Sequence, residues 1–314
     1  MMTKLNTSFS ELKLMVLATA LLLSFGLQSQ SLKSSDASKQ TDYKISLAQW
    51  SLHGAFNTGS LNPTDFPEIA ASYGIYSIEL VNSFYKTKAN DMDYWKTFKQ
   101  KCDEANVNVG LIMCDGLGHL GDADVQKRTK TVENHYAWVD IAKYLGAHSI
   151  RVNAAGTGSS DEVALHVIDG LTKLGKYGAS KGINIIVENH GGYSSNGAWL
   201  ANVMENVNMK NVGTLPDFGN FCITRDSNRN CLDEYDRYKG MTELMPFAKG
   251  VSAKSHDFDA TGNDTKSDFF RMMAIVKESG YKGYIGIEYE GRELSEDEGI
   301  KATKALLENV FTKL

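Results

Sequence analysis

The chain has 314 residues, 42% hydrophobic and 23% charged, an ordinary globular composition with room for one large domain or two small ones. Its formal net charge of −5 argues against a nucleic-acid partner, because a polyanion would be repelled on average.

The first predicted element is a leader. Lys4 and Lys13 flank an apolar run, Leu14–Leu27, of about 14 residues, shorter than the ~20 a membrane-spanning helix needs. A basic start, a short apolar centre and the polar Gln28–Ser31 describe a secretory signal peptide over residues 1–30, with a membrane anchor as the alternative. No cysteine lies near the cleavage region, which argues against a lipoprotein. Cleavage would remove Lys4, Glu11 and Lys13, a net +1, taking the chain from −5 to −6. Residues 31–42 (SLKSSDASKQTD) are polar and aperiodic and read as a disordered linker. The expectation is an exported, periplasmic protein with no stable membrane association after cleavage.

From Tyr43 onward, about 270 residues alternate short β-rich runs with helical patterns, which points to a parallel α/β fold. Strand Ile45–Trp50 leads to helix Thr64–Tyr73, which follows the Asn62-Pro63 start signal. Ser77–Val81 precedes Asp91–Ala105, Val107–Cys114 precedes Asp124–Leu145, and Ser149–Asn153 precedes Asp161–Lys181. Asn184–Glu188, Val212–Asp217, Val251–His256 and Tyr284–Glu288 alternate with helices Ala198–Val207, Leu232–Met245, Asp268–Ser279 and Glu296–Leu314. Gly74, Gly146, Gly182 and Gly283 precede strands and would end the helix before. Eight units without a composition break predict a closed (β/α)₈ TIM barrel forming one domain, residues 43–314. An open doubly wound sheet is the alternative, but no GxGxxG or Walker-type loop follows any strand.

Cys222 and Cys231 bracket a polar loop and could be joined in an oxidising compartment; two unpaired thiols is the competing reading. Cys102 and Cys114 read as a helix end and a strand end, neither catalytic, and the spacings form no zinc knuckle.

Barrel chemistry sits at the carboxyl ends of the strands. Four successive strands end in candidate ligands: Glu188 in IIVENH, Asp217 in TLPDFGN, His256 in SAKSHDF and Glu288 in IGIEYEG. Three carboxylates and one imidazole suit Mn²⁺, Co²⁺, Mg²⁺, Fe²⁺ or Zn²⁺. Without a cation, such a cluster would repel itself and raise its own pKa values. The competing reading is four unrelated polar residues on surface loops.

The Ile-Val-Glu-Asn-His, Pro-Asp-Phe-Gly-Asn, Lys-Ser-His and Gly-Ile-Glu-Tyr-Glu-Gly segments resemble the xylose-isomerase-like barrel family of sugar (phosphate) isomerases and epimerases, which includes the ketose 3-epimerases and, more distantly, endonuclease IV. The resemblance covers residues 43–314 and extends to Leu145–Val152. It implies one divalent metal on Glu188, Asp217, His256 and Glu288, with Glu188 and Glu288 moving a proton next to a carbonyl through an enediolate. Two departures alter the expected substrate clamp. Asn220 stands where the epimerases carry a histidine, and Asp257–Asp264 holds no arginine.

Further substrate-binding candidates follow from strand alternation and position. Lys254 lies two before His256, with a lysine that swings to solvent as the alternative, and His190 and Glu290 lie two beyond the glutamates. Glu79 and Asn153 end strands two and four, and Trp50, His53 and His119 lie in βα loops, Trp50 also being a core candidate. His135, His148 and His166 lie in or beside helices and receive no role. With no phosphate cradle or arginine pair expected at the site, a free or oxidised sugar is the expected partner, and homo-oligomers are left open. The leading expectation is a metal-dependent sugar isomerase or epimerase. A 3-keto-glycoside lyase acting by β-elimination is the close alternative, ahead of an endonuclease IV-like phosphodiesterase or a non-catalytic sugar-binding barrel.

Overall fold

Apolar and β-branched residues at every second position give the eight barrel strands an inward and an outward face. In the computed structural model, which describes residues 43–314, these strands are β1 (Lys44–Ala48), β2 (Ser77–Val81), β3 (Asn108–Met113), β4 (Ser149–Val152), β5 (Asn184–Glu188), β6 (Val212–Leu215), β7 (Val251–Ser255) and β8 (Tyr284–Tyr289). The expected leader and linker lie outside the described residues. Each strand is followed by a helix: α1 (Phe66–Ser72), α2 (Met92–Glu104), α3 (Val125–Leu145), α4 (Ser160–Lys181), α5 (Gly197–Val207), α6 (Arg237–Leu244), α7 (Phe269–Glu278) and α8 (Glu296–Lys313). Among the described residues no helix is long and apolar enough to cross a membrane.

All eight strands run parallel. Continuous pairing runs from β6 through β5, β4, β3, β2 and β1 to β8 and β7. Between β6 and β7 the ladder thins to the bridges Thr214↔Ala248 and Asp217↔Ser252. There the Ser252 amide donates to Pro216 O at 2.9 Å and the Phe218 amide to Ser252 O at 3.1 Å. This seam closes the barrel and runs directly past Asp217.

Local signals fix the helix ends. Ser159 with Glu162 and Ser295 with Glu298 form reciprocal capping boxes at the starts of α4 and α8. Asp124 caps α3 by accepting from the Gln126 and Lys127 amides, an arrangement worth about 1 kcal/mol relative to alanine. Gly146 and Gly182 end α3 and α4 at φ of 79° and 74°, a left-handed backbone that glycine adopts without a Cβ penalty.

The main core lies between the strands and the helix ring, with Leu47, Ile78, Trp95, Phe98, Ile150, Val187, Phe218 and Ile287 essentially inaccessible. A smaller plug of Ala48, Val81, Leu111, Met113, Ile186 and Leu215 fills the inside of the barrel. Ser46, Glu79, Arg151, Glu188, Asp217, Ser252, Lys254 and Glu288 share that interior and are all buried, so the inner space is half apolar and half charged.

Two expected elements change. The helix expected from Leu232 begins only at Arg237, where Asp236 caps it. Cys231–Glu234 is instead a strand, paired antiparallel with Cys222–Arg225. This hairpin is closed by the Cys222–Cys231 disulfide, with Cα atoms 5.7 Å apart, so these two cysteines are joined and Cys102 and Cys114 are free and buried. The helix expected over Thr64–Tyr73 is a 3₁₀ turn, Pro63–Asp65, followed by α1.

Candidate active site

Three acids meet at the carboxyl end of the barrel. Glu188 is the last residue of β5, Asp217 lies two residues past β6, and Glu288 is the penultimate residue of β8. One oxygen from each lies within 4.8 Å of the others, and all three side chains are buried.

Their positions are held by a polar frame. Asn189 receives the Asp217 amide at 2.8 Å and donates to Asp217 O at 3.0 Å and Asn220 O at 3.2 Å, tying the β5 and β6 ends together. Asp217 Oδ1 accepts from the amides of Gly219 and Asn220, and Asn220 Nδ2 donates to Glu188 Oε1 at 2.8 Å. Ser252 Oγ lies 2.6 Å from Asp217 Oδ2 and 3.2 Å from Glu288 Oε2; its one proton goes to the nearer acid.

Two buried cations face these acids. Lys254 Nζ stands 3.0 Å from Glu288, 3.4 Å from Glu290 and 3.9 Å from Asp217. Only 3% exposed, it is a fixed member of the site, so the solvent-facing alternative is set aside. Arg151 reaches Asp115 with both terminal nitrogens, at 2.6 and 3.3 Å, and its Nε lies 2.9 Å from Glu188 Oε2. That last pair is close in charge but poorly aligned, so Nε and Oε2 both lack a hydrogen bond.

The charges shift one another. Burial, offset in part by Lys254 and reinforced by Glu188 and Glu288, pushes Asp217 up to about 8. Burial also raises Glu288 against the pull of Lys254. Burial opposes the charge on Lys254, yet Asp217, Glu288 and Glu290 hold its pKa well above the ordinary value. At Asp115 burial is outweighed by Arg151 and Asn153, which hold the carboxyl at about 2.

Close-set acids that resist ionisation together, with a carboxylate oxygen of Glu188 left without a donor, form a donor set into which a divalent cation fits. Glu188, Asp217 and Glu288 are the residues that could hold it. His256, the fourth expected ligand, is not among the three residues whose ligand atoms lie within 4.8 Å of one another, yet its buried Nδ1 has no hydrogen-bond partner. It stands one residue past β7, and the inward β7 position beside Asp217 and Glu288 is Ser252. The three clustered donors are all carboxylate oxygens, a hard set.

Of the remaining candidates, Trp50, His190 and Glu290 line a cavity of 330 Å³ together with Asp115, Arg151 and Glu288. Trp50 donates to Glu290 Oε1 at 2.5 Å and stacks on His53 with centroids 4.8 Å apart. His190 is exposed, its Nδ1 3.0 Å from Asn153 Oδ1, while Asn153 donates to Asp115 at 2.7 Å. Asn153 thus braces the wall. Glu79 accepts from Ser46 at 2.6 Å inside the barrel, and burial raises it to about 7. Arg151, Asp115, Asn189 and Ser252 were not expected here. Arg151 alone carried a signal, an arginine inside the apolar run SIRV, since a buried charge needs partners.

Residues 67–310 match the sequence profile described as xylose isomerase-like TIM barrel. No curated protein sequence matches the chain. Among solved structures, 3-keto-D-glucoside 4-epimerase from E. coli is similar at a TM-score of 0.62 and 16% identity, over 79% of this chain and 94% of that one. A D-tagatose 3-epimerase-like protein gives 0.66 and 16%, over 86% and 97%. A xylose isomerase-like TIM barrel protein from Mycobacterium smegmatis in complex with magnesium gives 0.65 and 15%, over 86% and 97%. At these identities the likeness is one of fold.

Proposed function

Since the chain belongs to the xylose isomerase-like TIM barrel family, we propose that it is a divalent-metal-dependent sugar isomerase or epimerase that moves a proton at a carbon next to a carbonyl. The observation that carries this reading is the convergence of Glu188, Asp217 and Glu288 at the barrel mouth. When bound, a divalent cation supplies Lewis-acid polarisation of a substrate carbonyl, and the three carboxylates would hold it.

The chain's own residues do the rest. Glu188 and Glu288 stand on strands separated by β6 and β7, so they reach a substrate from different directions. One takes the proton from carbon and the other returns it, and burial, which raises Glu288, makes its carboxylate a stronger base. Lys254 and Arg151 offer fixed positive charge to an oxygen that becomes anionic as the proton leaves. Trp50 presents an aromatic wall and His190 a polar one to the sugar.

Oxidised sugars belong to the same reading, supported by the fold shared with a 3-keto-D-glucoside 4-epimerase. On a 3-keto-glycoside, loss of the C2 proton can be followed by return of a proton or by cleavage of the C1–oxygen bond, with the electron pair leaving on the aglycone oxygen. The disulfide supports the export reading, since such bonds persist in oxidising compartments.

The test is incubation with free ketoses and 3-keto-glucosides in D₂O, with and without chelator. Deuterium at a retained carbon marks epimerisation and aglycone release marks elimination. We expect Glu188→Gln and Glu288→Gln each to abolish exchange; wild-type exchange in either variant removes that residue from proton transfer.

A further inference from the structure

We infer that the substrate is an acidic sugar, its carboxylate, sulfate or phosphate seated in a second cavity beside the acids. This rests on the sugar-enzyme reading above and names the class of sugar. The cavity measures 440 Å³, and its wall includes Arg225, Arg229, Lys266 and Arg292. These four cations come from three separate segments: the disulfide-closed hairpin, the loop after β7 and the loop after β8.

The wall also holds His256 and two acids, Asp257 and Glu290, and each acid has further partners. Asp257 Oδ1 accepts from the amides of Arg292 and Glu293, at 2.6 and 2.9 Å. Glu290 accepts from Trp50 and pairs with Lys254 at 3.4 Å. Among the described residues, no carboxylate lies within salt-bridge distance of the four cations; the Arg225 side chain donates only to the carbonyl of Arg229, at 3.1 Å. Four cations against two acids leave the hollow net positive, in a chain of net charge −5, which is complementary to an anion. Guanidinium groups also match the planar or tetrahedral oxygens of carboxylate, sulfate and phosphate.

The arginines are held before any ligand arrives. The Cys222–Cys231 bond closes the hairpin, and Asp226 Oδ1 accepts from the amides of Asn228 and Asn230 at 2.9 and 2.8 Å, fixing the turn that carries Arg229. Such pre-organisation lowers the ordering cost of binding. Glu290 lines both this cavity and the one against Glu288. A sugar can therefore place its reacting carbons at the acids and its charged substituent among the arginines. The arginine pair that the strand-end motifs did not reveal is supplied by the hairpin.

The test measures binding of glucose, glucuronate, glucose 6-sulfate and glucose 6-phosphate to the intact protein by calorimetry, at low and high salt. At least one acidic sugar should bind about tenfold more tightly than glucose, and the comparison among the three identifies the anion. That advantage should shrink with salt and disappear in Arg225→Gln/Arg229→Gln and in Arg292→Gln, whose exposed side chains leave folding intact by circular dichroism. Equal binding of neutral and acidic sugars by the wild type, or an advantage that survives in both variants, overturns the inference. Turnover of neutral sugars without any acidic preference would sink the anion site and leave the isomerase reading standing. Tight acidic-sugar binding with no exchange in D₂O would do the reverse.

Discussion

Arg151 is the residue on which most of the buried charge converges. Its buried guanidinium faces the partly exposed Asp115 on one side and the buried Glu188 on the other. Replacing it with methionine keeps the volume and strands two carboxylates. Breaking a buried pair from one side costs about 3–5 kcal/mol, so Arg151→Met should lower the urea-unfolding free energy by that amount; a loss under 1 kcal/mol would show that Glu188 finds another partner. Glu79 gives a pH-dependent counterpart. Its folded pKa of about 7 lies above the ordinary value of 4.5, so between those pH values the folded protein holds a proton that the unfolded chain releases. Stability then falls as pH rises from 4.5 to 7 and levels off above. In chelator-treated protein, Glu79→Gln should remove that part of the slope, and a wild-type slope in the variant would mean that Glu79 ionises freely.

At the scale of elements, the strands were legible because short β-rich runs alternate with helical patterns, and six of the eight expected strands begin on the residue where the structure begins them. The site was less legible. Ser252 was missed because it carries no chemical signature, and register alone brings it to Asp217 and Glu288. The hairpin was missed because Leu232–Met245 is rich in polar residues that read equally well as a solvated helix. The Cys222–Cys231 bond is its covalent tie, beside the Asp226 turn and the strand pairing. Reduction should free the Arg225–Arg229 turn while the barrel stays folded. Trypsin should therefore cut after Arg225 or Arg229 in reduced protein and spare both in oxidised protein, and equal cleavage rates would show that the disulfide restrains nothing.

At the scale of the whole molecule, seven of the eight strand junctions are continuous ladders and one is a pair of bridges. A closed cylinder distributes strain evenly only when every stave is equally joined, so fluctuations concentrate where the joint is thinnest. The Ser252 and Phe218 amides, which cross that joint, should exchange hydrogen faster than those of Ile287 or Val187. A divalent ion shared by Asp217 on one margin and Glu288, one strand beyond the other, would act as a rivet across it. Added Mg²⁺ or Mn²⁺ should slow exchange at Ser252 and Phe218 selectively. The weakest stave joint in the cylinder would then double as its sensor of loading, stiffening when the centre is filled and loosening when it is stripped.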